Sequence, residues 1–467
     1  MAILGPAIGA GVGGLFSHYL DADFLRRITI PEDEVLTPDN PRWVGCWWLG
    51  FVIFGLVFYP LGAFVLGYPK VLPGTKELIA LKKIKSREDY TATGTIQVPE
   101  IKTFSSLPNL LWFVVQNIRF DLITVAGTCE LFLLQALGTH FPKLLQQQFN
   151  LEPLMVSICL GTVTVPPCLI GLSVGGYIMR VYQLELKASL FFCACLGAIG
   201  TVILSGIMLH CPNNDFDGFR RELRSDEPTD SYLDKECNKD CHCDKTLFNP
   251  ICGFDNITYY SACFAGCETE KIYDNKKVYY NCRCVNHTDS RGFQAKYGPC
   301  PKECKLLYLM LTGIFMYQVI SFMAGVPAIT ASLRSICINR CNDQEFRSLA
   351  LAVQWMCFRL FGAIPGPIIL GSAVDASCIH WNFAKGVRGS CLVYDHWKLG
   401  WLTALTCVVV KFIETAAFTG AFFLEKKRLT KISIYRSQSA TMSKLSASES
   451  HVSSRPSQPT VKTESAH

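Results

Sequence analysis

Several ionisable side chains stand inside apolar stretches of this chain, where a charge is rare and usually functional. Arg359 lies about ten residues into the apolar run 349–373. A planar guanidinium at that depth can grip a carboxylate or a sulfate through two parallel hydrogen bonds. Arg359 is therefore the first candidate for holding an anion, and the alternative is a structural ion pair with Glu130. Glu130, inside the run 115–138, is the second candidate, with a role in packing or coupling as its alternative. Lys411 and Glu414 are three apart on the last apolar run, a spacing at which helical side chains meet, and read as neutralising each other. Arg180, at the end of "GGYIMR", reads as an anchor that reaches the membrane surface. His140 is a candidate proton sensor near the end of its run. No catalytic constellation stands out. Cys193 and Cys195 lie inside an apolar run, the other cysteine group lacks the histidines of a typical zinc site, and no phosphate-cradling glycine loop is present. The chain is read as a non-enzyme without cofactor or metal.

The elements that must carry these residues are membrane spans. Half of the 467 residues are apolar and only 18% are charged, against about a quarter charged in soluble domains. A bilayer crossing takes about 20 apolar residues. Eight runs qualify: 2–20, 43–67, 115–138, 153–178, 187–210, 305–329, 349–373 and 397–424. The first carries Gly5, Gly9 and Gly13, a spacing that suits close helix packing in lipid. Lys and Arg concentrate in 68–114, in 330–348 and after Leu424, so these segments are expected to be cytoplasmic. Alternation then places 21–42, 139–152, 211–304 and 374–396 outside and both termini inside. The net charge of +6 forms no basic stripe, and no nucleic-acid partner is expected.

The segment 211–304 holds eleven of the 23 cysteines, a density that belongs in an oxidising compartment. Both Asn-x-Thr sequons, at Asn256 and Asn286, fall in the same segment, which is where glycosylation requires them. Topology and chemistry thus agree on an extracellular loop. Six of its cysteines, Cys237, Cys243, Cys252, Cys263, Cys267 and Cys284, allow fifteen pairings, and spacing alone does not choose among them.

Two stretches carry a family resemblance. The six cysteines, with Thr258-Tyr259 before the fourth, resemble a Kazal-type domain over 231–286. That resemblance implies Cys237–Cys267, Cys243–Cys263 and Cys252–Cys284, leaving Cys241 and Cys282 as a fourth pair. Of Cys211, Cys300, Cys304, Cys378 and Cys391, at least one must then stay unassigned. The stretch "PDNPRWVGCWWLGF", 38–51, is by itself an aromatic belt at a membrane surface. It also resembles the signature of the organic-anion-transporting polypeptides, through Arg42, Trp43, Val44, Gly45, Trp47, Trp48, Gly50 and Phe51. Asn40, Cys46 and Val52 depart from that signature. "GGYIMR" and "RLFGAIPGPIILG" are similar to the family as well.

The resemblance implies an all-α polytopic membrane protein of the major-facilitator type, with halves of six helices, and a small disulfide-rich Kazal-like extracellular domain. It implies sodium-independent carriage of amphipathic organic anions, such as steroid or bile-acid conjugates, prostaglandins or thyroid hormones, by alternating access in the plasma membrane. The expected partners are those anions, the bilayer and full-length relatives. By the tryptophan signature, which opens the family's sixth span, about four amino-terminal spans are not present, so the chain reads as amino-terminally truncated. The resulting division is 1–67 (two spans of the first half), 68–114 (cytoplasmic connection), 115–424 (the six-span second half, including 211–304) and 425–467 (disordered cytoplasmic tail). The alternative is a truncated, non-transporting member with a structural or regulatory role.

Overall fold

The structure is a computed structural model. It describes residues 44–67, 115–208, 211–213, 216–217, 233–244, 248–273, 276–286, 292–300, 304–337, 344–384 and 387–453, with a few isolated positions before 113. The run 2–20, the connection 68–114, Arg42 and Trp43 lie outside the described residues, apart from isolated positions such as Gly13, Phe16 and Tyr19.

The helices are α1 (Leu49–Leu66), α2 (Ile118–Phe149), α3 (Pro153–Tyr182), α4 (Leu186–Ser205), α5 (Leu306–Cys337), α6 (Gln344–Cys357), α7 (Pro365–Asp375) and α8 (His396–Ser453). A π-helical segment, Phe358–Ala363, joins α6 to α7. Among the described residues, seven helical stretches are long and apolar enough to cross a membrane by length and composition: Leu49–Leu66, Ile118–Phe149, Pro153–Tyr182, Leu186–Met208, Leu306–Ile336, Ser348–Asp375 and His396–Lys431. Each overlaps one of the last seven runs read from the sequence, but α2 continues to Phe149, through most of the segment 139–152 expected as a loop, and α5 and α6 extend into 330–348. This is a polytopic helical membrane protein.

Close helix packing in lipid needs small residues, because there is little hydrophobic drive between apolar helices. The bundle meets that need with glycines on α3 and around the start of α7. A Cβ on Gly171 or Gly175 of α3 would lie 2.5 Å from a backbone oxygen of α5, Val319 or Met323. On the other side, a Cβ on Gly362 or Gly366 would lie 2.7 Å from the Thr128 or Phe132 carbonyl of α2. Backbones therefore touch at both crossings. α8 packs on α2 and α4, and α4 packs on α5. The core between them contains Leu133, Leu137, Leu144, Leu204, Tyr317 and Leu399.

Between α4 and α5 stands a five-stranded sheet of order β2-β1-β5-β4-β3, all neighbours antiparallel. Its strands are β1 (Ile251–Gly253), β2 (Thr258–Tyr259), β3 (Thr269–Tyr273), β4 (Lys276–Tyr280) and β5 (Ala295–Tyr297). Ile251, Tyr259, Ala265, Tyr279 and Ala295 form its small core. The Tyr259 hydroxyl donates to Asp255 (2.7 Å); burial, and then that carboxylate, push the phenol upward, so it stays a donor at neutral pH.

The disulfides correct the pairing implied by the Kazal resemblance. Cys243 bonds Cys263, but Cys237 bonds Cys284, Cys252 bonds Cys300 and Cys267 bonds Cys282. Neither Cys237–Cys267 nor Cys252–Cys284 forms. The reason is register. In the β3/β4 hairpin Thr269 faces Tyr280, so Cys267 and Cys282, two residues outside that pair on each strand, are brought together. Cys252 sits on β1 beside β5, whose continuation carries Cys300. β5 and Cys300 therefore belong to the module, which extends past the expected limit at 286. Cys282 is taken, so Cys241 is the odd thiol, exposed and free. Cys211–Cys304 ties the two feet of the loop together. Cys378–Cys391 closes a second hairpin, β6 (Cys378–Ala384) and β7 (Val387–Tyr394), in the loop before α8.

The tail is the other correction. Expected to be disordered from residue 425, it continues α8 as helix to Ser453. No Gly or Pro interrupts the chain between Gly420 and Pro456, and side-chain hydroxyls bond back within the helix, Thr430 to the Lys426 carbonyl (3.0 Å) and Ser433 to that of Thr430 (2.8 Å). Residues 454–467 lie outside the described residues.

Candidate functional site

The site is built on one turn of α2, residues 127–132, which meets α8 on one side and the π segment on the other. Pro365 and Pro367 have no N–H to give to the carbonyls one turn earlier. The ladder widens there, and the Ile364 N–H closes on the Arg359 carbonyl (3.1 Å), five residues back. Such single π turns gather at functional sites. Gly127 and Gly362 let the segment sit flush on α2. A Cβ on Gly127 would run into the Phe358 ring. His140 fastens the next turn by donating from Nε2 to the Pro367 carbonyl (2.9 Å).

This scaffold presents Arg359 outward. The residue is exposed, and among the described residues it makes no ion pair. Around it Leu360, Phe361, Ile364 and Ile368 are each more than half exposed. The result is one cation set in an apolar face.

Glu130 is not brought to Arg359. It accepts from Lys411 Nζ at 2.6 Å, and Lys411 also donates to Glu414 at 3.0 Å. The i,i+3 pair read from the sequence is thus present, with Glu130 added as a third member. Lys411 and Glu414 are 3% and 4% exposed at the side chain, Glu130 29%. Lys411 Nζ also lies 5.3 Å from the centroid of the Tyr317 ring, a cation–π distance. Gly200 makes room for the lysine stem, since a Cβ there would lie 3.1 Å from Lys411 Cε. Nothing in the sequence pairs Glu130 with Lys411, which are 281 residues apart. The one signal was that three ionisable groups occupied apolar runs. A further buried pair joins the first turn of α2 to the middle of α8, with Arg119 Nη1 at 2.5 Å from Glu425 Oε2.

Around the tryptophan signature, Trp48 Nε1 donates to the Ala22 carbonyl (3.0 Å), Trp47 is exposed, and Gly50 is buried on the first turn of α1. Gly45 lies just before that helix in a short segment whose Val44 and Cys46 bond Ala22 and Leu20 through the backbone. In the disulfide module both sequon asparagines, Asn256 and Asn286, are exposed.

Comparison with known proteins agrees with this architecture. The model of the Organic Anion Transporter Polypeptide (OATP) family matches residues 1–399. Solute carrier organic anion transporter family member 4C1 of Mus musculus is 33% identical over 462 residues, covering 96% of this chain and 62% of that protein. Member 4A1 of Mus musculus is 30% identical over 434 residues, covering 91% and 58%. Member 1C1 of Homo sapiens is 30% identical over 458 residues, covering 92% and 62%. The chain spans about three fifths of the length of these curated relatives. With its family model matched over most of its length and its helices, disulfide-rich loop and tryptophan signature in place, the chain belongs to the organic anion transporter polypeptide family.

Proposed function

We propose that the protein carries amphipathic organic anions across the plasma membrane by alternating access, with Arg359 receiving the anionic group. The observation that carries this reading is the exposed Arg359 within a membrane-capable helix. A guanidinium turned to hydrocarbon is costly, so helices orient such a residue toward protein or a water-filled cavity. This face therefore lines an aqueous path rather than lipid. The apolar side chains flanking Arg359 suit the greasy body of a steroid or bile-acid conjugate, and the guanidinium suits its sulfate or carboxylate. The deformable π segment and the two prolines beside it support a helix that bends as the path opens. The relatives' printed names, organic anion transporters, point to the same substrate class. The disulfide module, fixed at both feet by Cys211–Cys304, serves as an extracellular cap carrying glycans at Asn256 and Asn286. Both termini are cytoplasmic in this reading.

Uptake of a labelled steroid sulfate by cells expressing the chain tests the proposal. Saturable uptake above mock-transfected cells is expected. Arg359→Ala should remove most of it, and Arg359→Lys should restore only part, because an ammonium cannot make the bidentate contact. Background uptake by a chain shown to reach the surface would overturn the proposal in favour of a non-transporting member. Undiminished uptake by Arg359→Ala would remove Arg359 from the path.

A further inference from the structure

The buried charges of the bundle do not balance. Glu130, Lys411 and Glu414 bring two carboxylates to one ammonium. Glu414 Oε2 lies 3.0 Å from Lys411 Nζ but at an angle that makes no hydrogen bond, and it is buried without a partner. Both carboxylates close on the one Lys411 Nζ, at 2.6 Å and 3.0 Å, which holds them side by side. Neither ionised carboxylate can donate, so their juxtaposition is repulsive as long as both are charged. The remaining titratable groups facing the cluster are Tyr317 of α5, Cys193 of α4, Cys129 of α2 and Cys407 of α8. None is a cation, so Lys411 is the one positive charge at the cluster among the described residues. A single proton between the two glutamates removes the repulsion, fills the orphaned oxygen and leaves the cluster neutral.

We infer that Glu130 and Glu414 form a binding site for one proton, held against Lys411 and reached from the aqueous path through Glu130. Glu130 is the group that opens outward, at 29% exposed, while the other two are sealed. The site also touches the substrate machinery. The α2 turn that carries Glu130 supports the π segment through Gly127 against Phe358 and the Thr128 carbonyl against Gly362. Losing the proton puts a net negative charge on that turn, which disfavours an anion beside Arg359. Gaining it does the reverse. Linkage is reciprocal, so anion binding in turn favours the proton, and the two cross together. This coupling rests on the transport reading above; the proton site itself does not.

Two measurements separate the claims. Infrared difference spectra of the purified protein in lipid nanodiscs, recorded across a pH titration, should show a protonated-carboxyl band at neutral pH. Glu130→Gln and Glu414→Gln should each remove it, and Arg359→Ala should keep it. Absence of the band in the parent, or its survival in both glutamine variants, overturns the site. The two variants also guard against one of them failing to fold. In reconstituted vesicles, an imposed gradient of one pH unit should drive up to about tenfold accumulation of labelled steroid sulfate by the parent. Glu414→Gln should leave the accumulation ratio independent of the gradient. Carriage by the parent that ignores the gradient, with the band present, overturns the coupling. No carriage at all, with the band present, strikes the transport reading and upholds the proton site.

Discussion

Replacing Lys411 by Met keeps the volume and removes the only ammonium from a cluster of two carboxylates. The lysine side chain is 3% exposed, and its partners lie at 2.6 Å and 3.0 Å. Two routes to the cost agree. Breaking a buried ion pair from one side costs about 3–5 kcal/mol, because a charge is left in an apolar interior. The protein can escape by binding a further proton. Taking a glutamate from its ordinary value of about 4.3 to neutral at pH 7 costs about 1.36 kcal/mol per unit, or close to 4 kcal/mol. Glu130, being partly exposed, keeps some water and lowers the total. A loss of about 3–4 kcal/mol is therefore expected, a fall on the order of 10 °C in the midpoint of thermal unfolding in detergent. The sign with pH follows from the escape route: protonation becomes easier as pH falls, so the deficit should shrink between pH 7 and pH 5. Lys411→Met combined with Glu130→Gln and Glu414→Gln should recover at least half of it, since the ammonium and both of its carboxylates are then gone. Heating followed by size-exclusion detection of the monodisperse peak reads all of these. A single variant as stable as the parent, or a triple variant worse than the single, would refute the reasoning.

Further outcomes concern the loop and the helix crossings. Peptide mapping under non-reducing conditions should recover Cys252 linked to Cys300 and Cys267 linked to Cys282; recovery of Cys252–Cys284 would restore the Kazal pairing. Cys300→Ser opens a closed segment with a separation of 48 residues, worth about 4 kcal/mol by chain entropy, and should hold the protein in the endoplasmic reticulum; normal surface delivery would contradict it. Digestion with an N-glycosidase should shift the protein's mobility, and Asn256→Gln with Asn286→Gln should abolish the shift. Gly366→Val places methyl groups where a Cβ is already 2.7 Å from the Phe132 carbonyl; it should destabilise by about 1–3 kcal/mol and lower uptake, whereas Gly176→Val, with nothing within 4 Å, should do neither.

The sequence was legible where one physical cause dominated. Apolar length locates a span regardless of its neighbours, and all seven described spans fell on runs that were long enough. Pro365 and Pro367 act equally locally, because a missing proline N–H disturbs its own helix. Pairing was illegible wherever it depends on register or on folding between distant segments. Cys267 and Cys282 meet because a hairpin aligns them, and cysteine spacing does not encode that alignment. Glu130 and Lys411 meet because α2 and α8 cross, and no local rule links them. The tail failed for a different reason. Its Ser- and Thr-rich composition argues against a packed core, but α8 needs no core to continue while neither Gly nor Pro interrupts it.

The close-packing glycines bear on what can move. Small residues at four-residue spacing were read in the first run, at Gly5, Gly9 and Gly13, of which only Gly13 falls among the described residues. The close backbone contacts seen in the bundle use Gly171 and Gly175 against α5, and Gly362 and Gly366 against α2. These glycines lie in or beside "GGYIMR" and "RLFGAIPGPIILG", the stretches that also carry the family likeness. The first pair joins two α-helices that stay α-helical through internal prolines, Pro166 and Pro167 in α3 and Pro327 in α5. The second locks α2 to a segment that is not a regular α-helix, with a widened turn and two prolines. A crossing of that kind holds position through backbone contact, and its π-helical side is the one whose hydrogen-bond ladder is already widened. Arg359 sits on that side and Glu130 on the regular α-helical side of one interface. A change of charge at Glu130 therefore acts across a contact too tight to absorb it, and the π segment is where the response must appear.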